Sequence, residues 1–121
     1  MKICVTAEDA DLHALVSEDF GHAAFFVIYD TETGSWEAYP NTAPEAGTGT
    51  GIVAAERIIE LGAQVVLTSY VGPHGERKLR SANIKIVQDE DGTVWSAIQR
   101  YLKKHPECKT AATSAKTIPP E

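Results

Sequence analysis

The side chains of this 121-residue sequence best suited to chemistry are His22, His74 and Cys4. Imidazole nitrogen and thiolate sulfur are ligands that soft metals and iron-sulfur species take. Each residue also has an ordinary structural role open to it: Cys4 as a small buried hydrophobe, His22 as a hydrogen-bonding turn residue, His74 as an exposed residue in a first helical turn. Three such ligands fall short of a closed structural zinc site, so a metal guest here would be loosely held. His13 and His105 read as surface residues.

Two further stretches offer backbone chemistry. Gly47-Thr48-Gly49-Thr50-Gly51 opens a helix, where unpaired N–H groups and the helix dipole favour an anion. It lacks the lysine of a phosphate-binding P-loop and does not directly follow a strand as a dinucleotide fingerprint does. Taken alone it reads as a loop in which Thr48 or Thr50 caps the helix. In Thr68-Ser69-Tyr70-Val71-Gly72-Pro73-His74-Gly75 an apolar strand breaks at Gly72-Pro73 and restarts as a helix, again leaving N–H groups above a sheet edge. A two-metal nuclease would need carboxylates on the strands. Asp9, Asp11, Glu18 and Asp19 fall instead in a loop and read as solvated acidic surface, and no serine or cysteine nucleophile stands beside a placed base.

The elements that must position these residues follow from apolar patterning. Ile3 to Thr6 is a short buried strand, followed by a long loop, Ala7 to Ala23, whose Leu12, Leu15, Val16 and Phe20 are expected to fold back over the sheet edge. Ala24 to Tyr29 and Ser35 to Tyr39 flank a polar turn ending in Gly34, the pattern of a hairpin. Pro40 to Gly51 is too poor in apolar residues to pack as an element. Ile52 to Leu61 is a helix with Ile52, Ala55, Ile58 and Ile59 inward and Gly62 at its left-handed stop. Gln64 to Thr68 is an apolar strand. A second helix starts at Pro73, turns Leu79 and Ala82 inward and stops at Asn83; Ile84 to Val87 is the fifth, buried strand. Thr93 caps a third helix with Val94, Ile98, Tyr101 and Leu102 on one stripe.

This order predicts a three-layer α/β/α fold of ribonuclease H-like layout. Right-handed crossovers give a five-stranded mixed sheet in the order 3-2-1-4-5, with only strand 2 antiparallel. Strands 1, 3 and 4 then end at one edge, where strand 2 begins. His22 and His74 meet there, with Cys4 beneath on strand 1, at a topological switch point of the kind where open sheets bind ligands.

One domain over residues 1–104 accounts for the elements, and residues 105–121, with Cys108, read as a flexible tail. The net charge of −6, from 11 basic and 17 acidic residues, argues against nucleic acid or an anionic membrane surface as partner. Two cysteines make neither a disulfide framework nor a CxxC zinc site, no leader is visible, and no apolar run approaches the roughly 20 residues of a membrane span. The expected setting is the cytoplasm.

Phe20-Gly21-His22-Ala23 before a strand, the glycine-rich helix opening, Gly62-Ala63-Gln64-Val65-Val66-Leu67, Val71-Gly72-Pro73 and Asn83-Ile84-Lys85-Ile86-Val87 together resemble the dinitrogenase iron-molybdenum cofactor biosynthesis family, of the NifX and NifB C-terminal type. The likeness spans about Met1 to Leu102. It implies a domain that binds or carries an iron-sulfur or iron-molybdenum type cluster without turnover and exchanges it with cluster donor or acceptor proteins. Position by position it makes His22 the first ligand candidate, with the Gly72-Pro73 turn lining the same site. Where the family usually has Asn-Ala after Gly-Pro, this chain has His74-Gly75, and where it commonly has Gly, this chain has Asn83. The expected cofactor-binding set is therefore Gly21, His22, Gly47, Gly49, Gly51, Gly72 and His74, with His22, His74 and Cys4 as metal ligands, in a monomer or weak homodimer. Two other readings are a metal-free protein-interaction module, expected if the loop from Ala7 closes over the Gly72 turn and leaves no cavity, and a divergent hydrolase.

Overall fold

Side-chain alternation along the first strand divides the core. In the computed structural model, which describes residues 1–46 and 49–106, β1 (Lys2–Ala7) turns Ile3, Val5 and Ala7 to one face and Cys4 to the other. β2 (Phe25–Asp30) and β3 (Trp36–Pro40) extend the sheet as a hairpin, and β1 pairs antiparallel with β2, placing Cys4 opposite Ile28. The helix α1 (Thr50–Glu60) carries the chain to β4 (Val65–Leu67), parallel to β1 with Val66 beside Cys4. Helix α2 (Pro73–Ser81), strand β5 (Lys85–Val87) and helix α3 (Val94–Lys104) complete it.

The sheet order is β3-β2-β1-β4-β5, with β2 alone antiparallel to its neighbours, as the patterning predicts. On one face Ile3, Val5, Val27, Tyr29, Val65 and Leu67 meet Val94, Ile98 and Leu102 of α3. On the other, Cys4, Phe26, Ile28 and Val66 meet Ala54, Ala55 and Ile58 of α1 and Leu79 of α2. Two faces buried against helices explain why the central strands read as unbroken apolar runs. Asn83 adopts the left-handed conformation expected after α2 (φ 62°), and Thr93 caps α3 by accepting from Ser96 N–H at 3.1 Å.

The loop after β1 does fold back. Val16 bridges to Ala7 and Leu15 to Thr93, so the loop is pinned to the end of β1 and to the N-cap of α3 while Leu12 and Val16 join the core cluster on the α3 face. Leu15 stays more than half exposed.

Several expectations are corrected. α1 begins two residues early, at Thr50, because Gly49 takes the left-handed N-cap position (φ 72°) with no side-chain cap. Thr50 is thus the first helical residue and caps nothing. Ile52 is exposed, since the inner stripe is Ala54, Ala55 and Ile58. The stretch after Pro40 is not slack: Ala43–Ala46 forms a 3-10 turn and Ala43 is buried in the core. β5 is an edge strand, so Lys85 is exposed and Ile86 and Val87 only half-buried. Gly47, Thr48 and Cys108 lie outside the described residues. Among those described, no helix is long and apolar enough to cross a membrane.

Candidate functional site

The 3-10 turn Phe20–His22 is held from below and from the side. Phe20 is almost fully buried, tilted against Phe26 with ring centroids 6.4 Å apart, and its N–H donates to Tyr70 carbonyl at 2.9 Å. Burial of such a ring contributes about 1.5–3 kcal/mol, enough to fix the turn that carries His22. Asn41, at the end of β3, ties the turn down further: its Nδ2 donates to the carbonyls of Gly21 (3.3 Å) and Ala23 (2.8 Å).

Asp19 does two things at once. One carboxylate oxygen, Oδ1, accepts from Gly21 N–H at 3.1 Å and caps the turn. The other, Oδ2, lies 2.8 Å from His22 Nδ1. A carboxylate only accepts, so in a neutral ring this contact selects the tautomer protonated on Nδ1, which leaves Nε2 its lone pair. This is the carboxylate-histidine arrangement that orients metal-binding imidazoles.

Three glycines bring the remaining elements into contact. A Cβ on Gly21 would lie 2.9 Å from Thr50 Oγ1 and 3.3 Å from Gly51 N; one on Gly75 would lie 3.2 Å from both Gly51 carbonyl oxygen and Val71 Cγ2. The His22 turn therefore rests on the start of α1, and the starts of α1 and α2 touch backbone to backbone. Thr50 and Gly51 in α1, and His74 and Gly75 in α2, are first-turn residues whose N–H groups find no partner among the described residues.

Above this floor is a cavity of about 320 Å³. Gly21, His22, Gly49, Gly51, Gly72 and His74, the candidates expected to gather, all line it, with Asp19, Thr50, Ile52 and Tyr70 completing its wall. Both imidazoles are exposed at its mouth. The Ala7 to Ala23 loop does not close it.

Cys4 is not part of this assembly. It is fully buried mid-strand between Ile28 and Val66, among Phe20, Phe26 and Val71, and burial pushes its thiol pKa far up. A thiol kept protonated inside an apolar layer is inert packing. Among the described residues no three His, Cys, Asp or Glu side chains converge as a metal cage.

A sequence model of the family described as "Dinitrogenase iron-molybdenum cofactor" matches residues 1–104. The chain belongs to the dinitrogenase iron-molybdenum cofactor family. Among solved structures, the orange protein (ORP) of Desulfovibrio gigas in its apo form is 43% identical, with 85% of this chain and 88% of that one covered and a TM-score of 0.82. A Thermotoga protein solved by NMR, TM1290, described as belonging to the DUF35 family, is 28% identical over 84% of this chain and 87% of its own, with a TM-score of 0.72. PH0822, at 24% identity and a TM-score of 0.74, shares the fold. No protein of curated function matches the sequence.

Within this family framework, sequence reasoning missed Asn41, which ties down the His22 turn, and the contributions of Asp19 and Gly75. Asp19 was grouped with the surface acids, yet an Asp three residues before His22 and two before Gly21 is the spacing of a capping carboxylate that also meets the ring. Gly75 belongs to the Thr68 to Gly75 stretch that the sequence singles out, but its backbone contact with α1 is not expected there. The clue available was its place in the first turn after Pro73, where a missing Cβ permits close backbone approach.

Proposed function

We propose that this protein is a non-catalytic carrier or scaffold for an anionic metal-sulfur cluster, of iron-sulfur or molybdenum-containing type, seated in the cavity between His22 and His74. The observation that carries the reading is that both imidazoles and the first turns of α1 and α2 line one hollow. Its volume of about 320 Å³ sits at the low end of small-ligand sites, roughly 300–1,000 Å³.

The donor set defines how the cargo would be held. Among the described residues it offers two imidazoles and, with Cys4 buried, no thiolate. A cluster that depends on a cysteine cage does not fit; one that brings its own sulfide shell does. His22 Nε2, oriented by Asp19, would supply a metal ligand, His74 a second, and the unpartnered N–H groups of Thr50, Gly51, His74 and Gly75 would donate to cluster sulfides under two helix dipoles. Sparse ligation suits cargo that must be handed on to an acceptor protein.

Anaerobic reconstitution with iron and sulfide, or with tetrathiomolybdate, tests this. Wild type should retain colour and metal through gel filtration, and the His22→Ala, His74→Ala double variant should lose most of both. Equal retention by the two proteins would reject the assigned ligands.

A further inference from the structure

An anionic cargo approaching a chain of net charge −6 meets a long-range barrier, so its site needs local positive charge. The chain has four arginines. Three are committed to carboxylates: Arg57 to Glu60 (3.6 Å), Arg80 to Glu76 (2.8 Å) and Arg100 to Glu90 (2.9 Å). Arg77 has no carboxylate partner among the described residues, and its position is specific. His74, Arg77, Lys78 and Ser81 stand at i, i+3, i+4 and i+7, a single face of α2. With Ile52 they line a second hollow of about 310 Å³. His74 and Ile52 also line the cluster cavity, so the two hollows share a wall.

Apart from His74, the other polar groups of this face are already engaged. Lys78 lies 3.7 Å from Glu56, and the Ser81 hydroxyl donates to the Lys78 carbonyl at 2.6 Å. Glu76, the acid nearest in sequence, is taken by Arg80 through two hydrogen bonds of 3.1 and 2.8 Å. The guanidinium of Arg77 is what remains: a permanent charge with five donors in a fork that matches the face of an oxo- or sulfido-anion. On the opposite side of the cavity the rim is acidic, with Glu8, Glu18 and Asp19 lining a third hollow beside His22. An anion is therefore drawn in along α2 and turned away from the other flank.

We propose that Arg77 is the capture residue of this protein: it binds a small, multiply charged anion in the α2 hollow and delivers it past His74 into the cavity. The proposal rests on the carrier reading, and the following experiment separates the two. Two-dimensional NMR follows titration with molybdate, a tetrahedral dianion, while stopped-flow absorbance follows uptake of tetrathiomolybdate at low and high salt. Wild type should show saturable shifts at the His74 and Lys78 amides and the Arg77 Nε–H. Arg77→Gln should weaken the amide response at least fivefold, slow tetrathiomolybdate uptake about three- to tenfold at low ionic strength, and flatten its salt dependence. Arg77→Lys should recover part of each, and Arg80→Gln, which removes the same charge from a paired site, should behave as wild type. If Arg77→Gln and Arg80→Gln are indistinguishable while wild type loads normally, the capture role is overturned and the carrier reading survives. If molybdate binds at Arg77 but tetrathiomolybdate is never taken up, the carrier reading falls and the capture role with it.

Discussion

Gly75→Ala tests whether the starts of α1 and α2 really meet as the site requires. The added Cβ would sit 3.2 Å from Gly51 carbonyl oxygen, 3.2 Å from Val71 Cγ2 and 3.4 Å from Phe20 Cε2. A backbone oxygen cannot rotate aside, so α1 and α2 must separate by a few tenths of an ångström. Overpacking of this kind costs about 1–3 kcal/mol, against up to about 1 kcal/mol gained from replacing a helical glycine, for a net loss of about 0–2 kcal/mol. Gly51→Ala is the matched control: its Cβ would meet Gly75 N at 3.5 Å and Cα at 3.7 Å, ordinary contact, so the helical gain of up to about 1 kcal/mol should stand. The two variants should thus differ by about 1–3 kcal/mol in urea unfolding, or roughly 1 M in midpoint for a domain of this size. Gly75→Ala should also take up cargo less well, because the first-turn N–H groups move. A midpoint for Gly75→Ala equal to or above that of Gly51→Ala would refute the close approach and the floor built on it.

Asp19→Ala should cost about 1 kcal/mol of stability through the lost cap and weaken cargo retention by about 10- to 100-fold, read as metal remaining after gel filtration; unchanged retention would mean that the ring orientation is irrelevant. Because burial raises the Cys4 pKa, the unfolded chain loses this thiol proton above about pH 9.0 while the folded chain keeps it. The contribution is complete below that pH and is lost as pH rises, at up to about 1.4 kcal/mol per pH unit. Urea unfolding from about pH 8 to 10 should show this slope in wild type and a shallower one in Cys4→Ala; parallel curves would contradict the assignment.

What the sequence made legible was whatever repeats along an element. The apolar runs at Ile3 to Thr6 and Gln64 to Thr68, the Gly34 hairpin and the Thr93 cap were enough for the sheet order, and the sheet order placed His22 and His74 on one rim. What failed depended on a single residue's surroundings. Cys4 does face α1 and α2, the helices that open on the cavity, but residue type and strand order do not show depth: it is fully buried mid-strand in the same apolar cluster as Phe20 and Val71. Ile52 looked like core by type, yet it sits at a helix start beside an open hollow, where the inner face is set by Ala54 and Ala55. Asn41 and Asp19 do their work through hydrogen bonds from short polar side chains to a neighbouring loop's backbone, a signal that apolar periodicity cannot carry.

The most direct test of where the cargo sits is amide NMR of the protein before and after anaerobic loading with tetrathiomolybdate. The account predicts that the large changes are confined to Gly21, His22, Thr50, Gly51, His74 and Gly75, the residues around the shared cavity. Loading that leaves these six amides unmoved and perturbs another surface would contradict it.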